Sequence, residues 1–492
     1  MEVICSIDTK CSDQISLLLK PPSHMQVQKY FENLIAIKKC QGIRVIPNGD
    51  YGKGVYANFN FKEGDLVLKD PMLFGIQHSS NKMDCLVCSH CFRFIGSVEL
   101  QIGRKLFLQN LGDFPDKKHE ISNALKGCSD HEDESDIELD EQDKEQCGTS
   151  GLKDKVVALP KDLIDSLMNG SFQLPYSDQF QLPLTVSCPG GCQEAFYCSN
   201  SCAEADWNSY HSLLCTGKGT KTLSTDALLE FIKHANETND IFLLAAKVIS
   251  FTILTYRKLK EAYLEGKETY DGPNLLDSCH FPLLLKAWEP VSMGYKRRWW
   301  DCISLPDDVD YANEATFRLQ VKELAFTSLQ LLKAAIFDPE CEPLFSLEVY
   351  GHIIGMFEQN NLDLVVESPV ENYFLYIDDL QPPEKEKVEQ ITGPFLDALG
   401  EDYSNCCEGT AFYPLQSCMN HSCSPNAKAF KREEDTDGQA TLIALRPIQK
   451  GEEITISYID EELPYEERQA LLADYGFRCK CPKCIEEEQR SS

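Results

Sequence analysis

Positive charge is the first thing this sequence is short of. Its 492 residues carry 47 Lys and Arg against 78 Asp and Glu, a formal net charge of −31. That balance argues against a phosphate-binding surface over the whole body, and no sequence-specific nucleic-acid binding is expected. It is compatible with a basic protein partner such as a Lys-rich tail, although acidic balance also simply keeps soluble chains apart. A long hydrophobic run is missing too. The longest, Ile241 to Tyr256, is interrupted by Lys247. It falls short of the ~20 residues of a bilayer span, so no membrane association is expected. Met1 to Leu19 begins acidic and polar, with only a short ISLLL run before Lys20 and Pro21, unlike a secretory leader. No strong basic import signal stands out, YKRRWW around Lys296 being too short to weigh.

Cysteine, by contrast, is plentiful: 23 residues. Without a leader they point to a reducing compartment, hence to metal ligands or buried thiols rather than disulfides. The 42% hydrophobic content supports a real core, and the length suits about three domains. Met1 to Tyr30 shows no clear element. From Ile43, short strands broken by Gly and Pro are expected. There Gly52 and Gly54 flank Lys53, which permits a tight turn or close approach by a ligand. The run from Ser129 to Glu145 is almost wholly acidic, so residues 127–151 are expected to be a disordered insert, with guidance of a basic substrate as a sharper alternative.

Either side of that insert lie the cysteines. Cys85, Cys88 and Cys91 come before it; Cys188, Cys192, Cys198, Cys202, His211 and Cys215 come after. One CxxC pair from the first group plus the second group makes enough ligands for two closed tetrahedral zinc sites. Thr225 to about Gly400 carries apolar residues at helical spacings, with breaks near Gly272, Met293 and Pro306. Asp226 and Asp240 suit N-cap or first-turn positions. Between Glu408 and Cys484 the chain reads EGTAFYPLQSCMNHSCSPNA, then GEEITISYID, then DYGFRCKCPKC. The closing CxCxxC packs three thiols into six residues, an arrangement suited to converging on one ion.

NHSCSPN, GEEITISY and the cysteine-rich tail together resemble the catalytic half of a SET-domain lysine methyltransferase, and the split cysteine run resembles a MYND finger. From Ile43 to Cys484 the plan is similar to the SET and MYND domain protein-lysine methyltransferases, plant Trithorax-related members with a split finger among them. The resemblance implies an α+β fold: a SET β fold with a knot-like carboxy-terminal segment, an inserted finger, a helical insertion and a zinc-binding tail. The implied segments are an extension (1–34), the first SET part (35–84), the finger with its insert (85–215), the helical insertion (216–400), the catalytic SET part (401–460) and the tail (461–492). The gap of three residues between Cys188 and Cys192, where two is usual, departs from the family. So does the end at Ser492, just after the tail, from which a more open substrate cleft is expected than in relatives with a carboxy-terminal helical-repeat domain.

The implied residue roles are as follows. Interleaved finger sites would use Cys88, Cys91, Cys198 and Cys202, then Cys188, Cys192, His211 and Cys215, with Cys85–Cys88 the alternative first pair. Cys423 would join Cys479, Cys481 and Cys484, about three zinc ions in all. S-adenosyl-L-methionine would be bound by Gly52, Lys53, Gly54, Asn360, Ser417, Asn420, His421, Tyr458 and Phe477. Tyr458 would be the catalytic tyrosine, and Tyr413 and Tyr475 would line the lysine channel. The implied partners are a histone tail or another Lys-containing protein, and a proline-rich peptide at the finger. The implied site is the nucleus, with the cytoplasm and non-histone substrates as the alternative. A non-catalytic adaptor is the rival reading, weakened by the presence of Asn420, His421 and Tyr458.

The chemistry explains these parts. A free lysine has a pKa of about 10.4, so reaching the neutral amine at pH 7 costs about 4.6 kcal/mol. A narrow apolar channel and a nearby cation both disfavour the charged form. The amine and the methyl must then be held roughly 3 Å apart and in line.

Overall fold

The structure, a computed structural model, describes residues 4–48, 52–110, 159–220, 222–266, 280–294, 297–306, 313–360, 362–432 and 434–491. The expected acidic insert at 127–151 and the break near Gly272 lie outside these. In chain order the strands are β1 (Ile43–Asn48), β2 (Gly52–Ala57), β3 (Leu66–Asp70), β4 (Phe74–Gln77), β5 (Val186–Ser187), β6 (Phe196–Tyr197), β7 (Leu362–Val366), β8 (Cys407–Phe412), β9 (Asn420–His421), β10 (Ala427–Ala429), β11 (Ala440–Ala444) and β12 (Glu453–Ile456).

The sheets run β1-β2-β12-β9, β10-β11-β3 and β4-β8-β7, with β5-β6 a small ribbon. Each of the three larger sheets joins a strand from before residue 80 to one from after 400. Strands from before residue 80 and after 400, together with β7, therefore build one body, with the other segments between them inserted. Its core holds Phe31, Val55, Leu68, Leu415, Leu442 and Ile454. The α+β architecture agrees with the expected class.

The helical insertion buries a larger core around Phe242, Trp288, Trp299, Leu329, Phe345 and Tyr350. Two expectations need correcting here. Met1 to Tyr30 is not featureless: helices span Ser6–Lys10, Ser12–Leu18 and His24–Lys38. The first two are too short to display a period, and they are held by burial of Ile7, Ile15 and Leu18 in that core. The third begins with a legible signal. Ser23 and Gln26 cap each other reciprocally, the capping-box pattern. Second, the helical pattern does not run through Leu364. The helix ends at Asn360, and Leu362–Val366 pairs antiparallel with β8 over its whole length.

Asp226 stands in a first turn and Asp240 at an N-cap position, as expected. Ser224 caps Thr225–Thr238 by accepting from the Ala227 N–H at 3.2 Å. Asp240 makes no side-chain cap to its own helix. It accepts instead from the Ser79 N–H at 2.9 Å and the Ser79 hydroxyl at 2.6 Å, tying the helix to the loop after β4. Helix Val98–Asn110, inside the expected finger segment, shares a third core with Lys161–Met168, Pro369–Asp378 and Glu384–Leu399 through Ile102, Tyr373 and Phe395.

Candidate active site and metal centres

The finger assembles from distant pieces. Ser89 donates its N–H to the Phe196 carbonyl at 2.8 Å, fastening the loop of Cys88 and Cys91 to β6. This places Cys91 Sγ 3.6 Å from Cys198 Sγ, which lies 3.5 Å from Cys202 Sγ. The structure groups Cys91, not Cys85, with Cys88, Cys198 and Cys202. The Cys85 thiol instead contacts the carbonyls of Asn405 and Cys406.

Cys188, Cys192, His211 and Cys215 form the second group. Cys188 Sγ is 3.2 Å from His211 Nε2 and 3.7 Å from Cys215 Sγ. His211 ends a π-helical turn, Trp207–His211, a local widening common at functional sites. The unusual three-residue gap becomes a glycine turn. Gly191 has φ +74°, and a Cβ on Gly190 would fall 2.5 Å from Cys215 Sγ. The backbone N–H groups of Gly190 and Gly217 each lie 3.3 Å from a ligand sulfur.

The third group is Cys423, Cys479, Cys481 and Cys484. In each group all ligand atoms lie within 4.8 Å of one another. A zinc–sulfur bond of about 2.3 Å gives a tetrahedral sulfur–sulfur edge near 3.8 Å. The measured 3.5–3.7 Å separations fit that geometry.

The tail group abuts the remaining site residues. β9 pairs parallel with β12, Asn420 opposite Thr455 and His421 opposite Ile456. That register sets His421 beside Tyr458, whose N–H donates to His421 Nδ1 at 3.1 Å. His421 Nε2 lies 3.2 Å from Cys423 Sγ. Burial, and then the Arg468 charge, lower the imidazole pKa to about 4. His421 is thus neutral, and with Nδ1 accepting, the proton sits on Nε2 facing the sulfur. Tyr458 donates its hydroxyl to the Met419 carbonyl at 2.5 Å. Burial holds that hydroxyl above its ordinary range. The Tyr475 ring, 38% exposed, stands 5.2 Å from the Tyr458 ring. The Phe477 ring lies 6.0 Å from the His421 ring, tilted by 48°.

The glycine pair approaches from the other side. Gly52 has φ +81°, and a Cβ on Gly54 would meet Glu453 Oε1 at 2.7 Å and Asn420 Nδ2 at 3.3 Å. The Asn420 amide donates to the Lys53 carbonyl at 3.0 Å and to Glu453 at 2.7 Å. Lys53 Nζ bonds the Met293 carbonyl. Next to Met293, Gly294 abuts Met356, one turn before Asn360, whose amide donates to the Met356 carbonyl at 2.9 Å. Arg297 Nη1 would sit 3.7 Å from a Cβ on Gly476. Strand β2, Met293 and Gly294, Arg297, the end of helix Leu347–Asn360 and Gly476 therefore meet around one place. Ser417 lies in the loop before Met419, its hydroxyl 3.5 Å from the Pro414 carbonyl. Tyr413 is buried, with its hydroxyl donating to the Gly438 carbonyl at 2.6 Å.

Two charged residues at this site carry no motif in the sequence. Asp70 is fully buried, ion-paired to Lys38, and accepts from the N–H groups of Leu415 and Gln416 at 2.7 and 2.9 Å. It anchors the loop that leads to Asn420. Arg468, 2% exposed, ion-pairs with Glu487 and lies 3.9 Å from Cys484 Sγ. Four thiolates around a divalent ion leave a net negative charge, which this guanidinium offsets. The only sequence signal for either was an ionisable residue near apolar ones.

Comparison with known proteins matches this architecture. The SET domain model matches residues 310–459 and the MYND finger model residues 180–215. Neither match includes β1–β4 or Cys88 and Cys91, which the tertiary structure adds. Histone-lysine N-methyltransferase ATXR2 of Arabidopsis thaliana is 62% identical over 489 residues, 99% of each chain. Protein-lysine N-trimethyltransferase SMYD5 of Gallus gallus is 26% identical over 336 residues, 65% of this chain and 70% of that protein. SMYD5 of Mus musculus is 26% identical over 320 residues, 62% and 67%. Together with the sheet pairing and the three cysteine groups, the near full-length identity shows that this chain belongs to the SET-domain, MYND-finger family of protein-lysine methyltransferases.

Proposed function

We propose that this chain methylates lysine side chains of histone tails in the nucleus, with Tyr458 as its catalytic tyrosine. The observation that carries this reading is the convergence of Tyr458, His421, Asn420, Tyr475 and Phe477 beside the tail cysteines. Bound S-adenosylmethionine would supply an electrophilic methyl group on a sulfonium.

Each residue then has a task. Asn420, Ser417 and the Gly52–Lys53–Gly54 turn would hold the donor, where the absence of a Cβ on Gly54 keeps β2 close to Asn420. Phe477 would stack on its adenine, and Asn360 would approach from the helix end. Tyr475 would wall the lysine channel, and Tyr413 would support it from within the core. A tyrosine held above its ordinary pKa range by burial is no base at neutral pH. Its hydroxyl oxygen would therefore orient the reacting groups and stabilise the amine nitrogen as it takes up positive charge from the sulfonium. The apolar channel and the approaching positive charge favour the neutral amine, which offsets the cost of deprotonation.

Three zinc ions per chain are proposed, one in each cysteine group. The tail ion would join Cys423, two residues after His421, to the segment carrying Tyr475 and Phe477, so that metal binding assembles the site. The domain division proposed is the one read from the sequence, with β7 added to the SET part. A proline-rich peptide is proposed as the finger's partner.

The test is labelled methyl transfer from S-adenosylmethionine to core histones, comparing wild type with Tyr458→Phe. Tyr458-dependent label on a histone lysine supports the proposal. Transfer confined to non-histone proteins removes the histone assignment, and full transfer by the variant removes the tyrosine assignment.

A further inference from the structure

A cavity of about 250 Å³ opens between the finger, β4 and the helices Thr225–Thr238 and Ile241–Leu264. It approaches the size of small-ligand pockets and far exceeds the space of a single water. Its helical wall is apolar, with Leu228, Phe231, Leu243 and Ala246. Three cations also line the cavity: Lys82 and Arg104 from outside the two helices, and Lys247 beside Ala246 on Ile241–Leu264. Lys247 Nζ donates to the Gly75 carbonyl at 2.6 Å and lies 4.6 Å from the Tyr210 ring centroid. Arg104 donates to the Met83 carbonyl at 2.9 Å. Among the described residues, none of the three has a carboxylate oxygen within the 4.0 Å of an ion pair.

Three unpaired cations around one cavity are unusual in a chain of net charge −31. Two carboxylates also line it. Glu194 is exposed and stands at the mouth. Asp206 is 2% exposed; its Oδ2 accepts from the Tyr197 hydroxyl at 2.7 Å, and its Oδ1 lies 4.0 Å from His90 Nδ1. The cations outnumber these carboxylates by one.

We infer that this cavity is a binding site for a small amphipathic monocarboxylate, its apolar body against the two helices and its carboxylate at Lys247 and Arg104. The charge balance suits one negative charge and disfavours both a cation and a polyanion. Apolar lining with a few convergent polar groups is the usual make-up of a small-molecule site. The site is separate from Tyr458 and does not depend on the methyl-transfer reading.

Equilibrium dialysis of the full zinc-loaded chain with radiolabelled octanoate tests this, with octylamine as the control of opposite charge. One saturable octanoate site per chain is expected, and none for octylamine. Lys247→Gln should weaken it by about tenfold or more. Ala246→Phe, which fills the cavity and leaves every cation in place, should abolish it. If Lys247→Gln fails to fold, Ala246→Phe carries the test. No saturable octanoate uptake, equal uptake of octylamine, or uptake indifferent to Ala246→Phe would overturn the inference.

Discussion

The ring of His421 joins Tyr458 to Cys423, the cysteine grouped with those of the tail. Its Nδ1 accepts the Tyr458 backbone N–H at 3.1 Å, and its Nε2 faces Cys423 Sγ at 3.2 Å. The backbone position of the proposed catalytic tyrosine is thus set one imidazole ring away from a proposed metal ligand. Site geometry and metal occupancy become one question.

The first expectation concerns Tyr458 itself. Tyr458→Phe keeps the ring and its packing but removes the hydroxyl that donates to the Met419 carbonyl. We expect kcat to fall by about 100-fold or more, as when one aligned polar group is lost from an active site. Zinc content and melting temperature should stay close to wild type, which elemental analysis and calorimetry check.

Metal content should be about three zinc ions per chain by elemental analysis, with one metal near each cysteine group. Arg468→Met removes the cation beside Cys484 and leaves Gln469 to donate to that sulfur alone, at 3.3 Å. Loss of such a supporting group commonly costs 10- to 100-fold in metal affinity. The variant should retain about two ions after dialysis against a mild chelator, and it should lose donor binding along with the third.

Asp70→Ala strands Lys38 in a half-buried place and frees the N–H groups of Leu415 and Gln416. Breaking one side of a buried pair costs about 3–5 kcal/mol. Chemical denaturation should show a loss of this size, and the remaining folded fraction should bind donor weakly, because the Asn420 loop has lost its anchor.

A pH dependence follows from Glu358, on the helix that ends at Asn360. It accepts from the Trp299 indole N–H at 3.1 Å, and burial raises its pKa from the ordinary carboxylate range to about 7. The folded protein therefore holds this proton more tightly than the unfolded chain does. The contribution to stability is full below about pH 4.5 and is lost as pH rises through about 7. Glu358→Gln should be more stable than wild type by about 3 kcal/mol at pH 8 and close to it at pH 4.5. Denaturant melts at the two pH values measure this, and equal stability at pH 8 would refute it.

Legibility in the sequence followed distance along the chain. NHSC, GEEITISY and CxCxxC are local patterns, and the structure sets them side by side through β9 and β12. The finger's second half was equally plain. The choice between Cys85 and Cys91 was open, because either makes a CxxC-type pair with Cys88, and it was settled by the Ser89–Phe196 bond from 107 residues away. The amino-terminal helices were missed because two of them are too short to show a period. Strand β7 was missed because its apolar residues continue the preceding helical pattern, and only pairing with β8 separates them.

The sequence by itself determined the chemistry on offer: ligand types at metal spacing, a tyrosine after a strand, glycines around one lysine, and an acidic surface. These follow from residue identity and short chain reach, which need no fold to be read. The tertiary structure alone decided which distant parts meet. It brought Asp70 under the Asn420 loop, Arg468 against the tail thiols, and three cations around an apolar cavity. Burial and charge compensation belong to a packed interior, where neighbours come from segments hundreds of residues apart, and no local pattern along the chain records them.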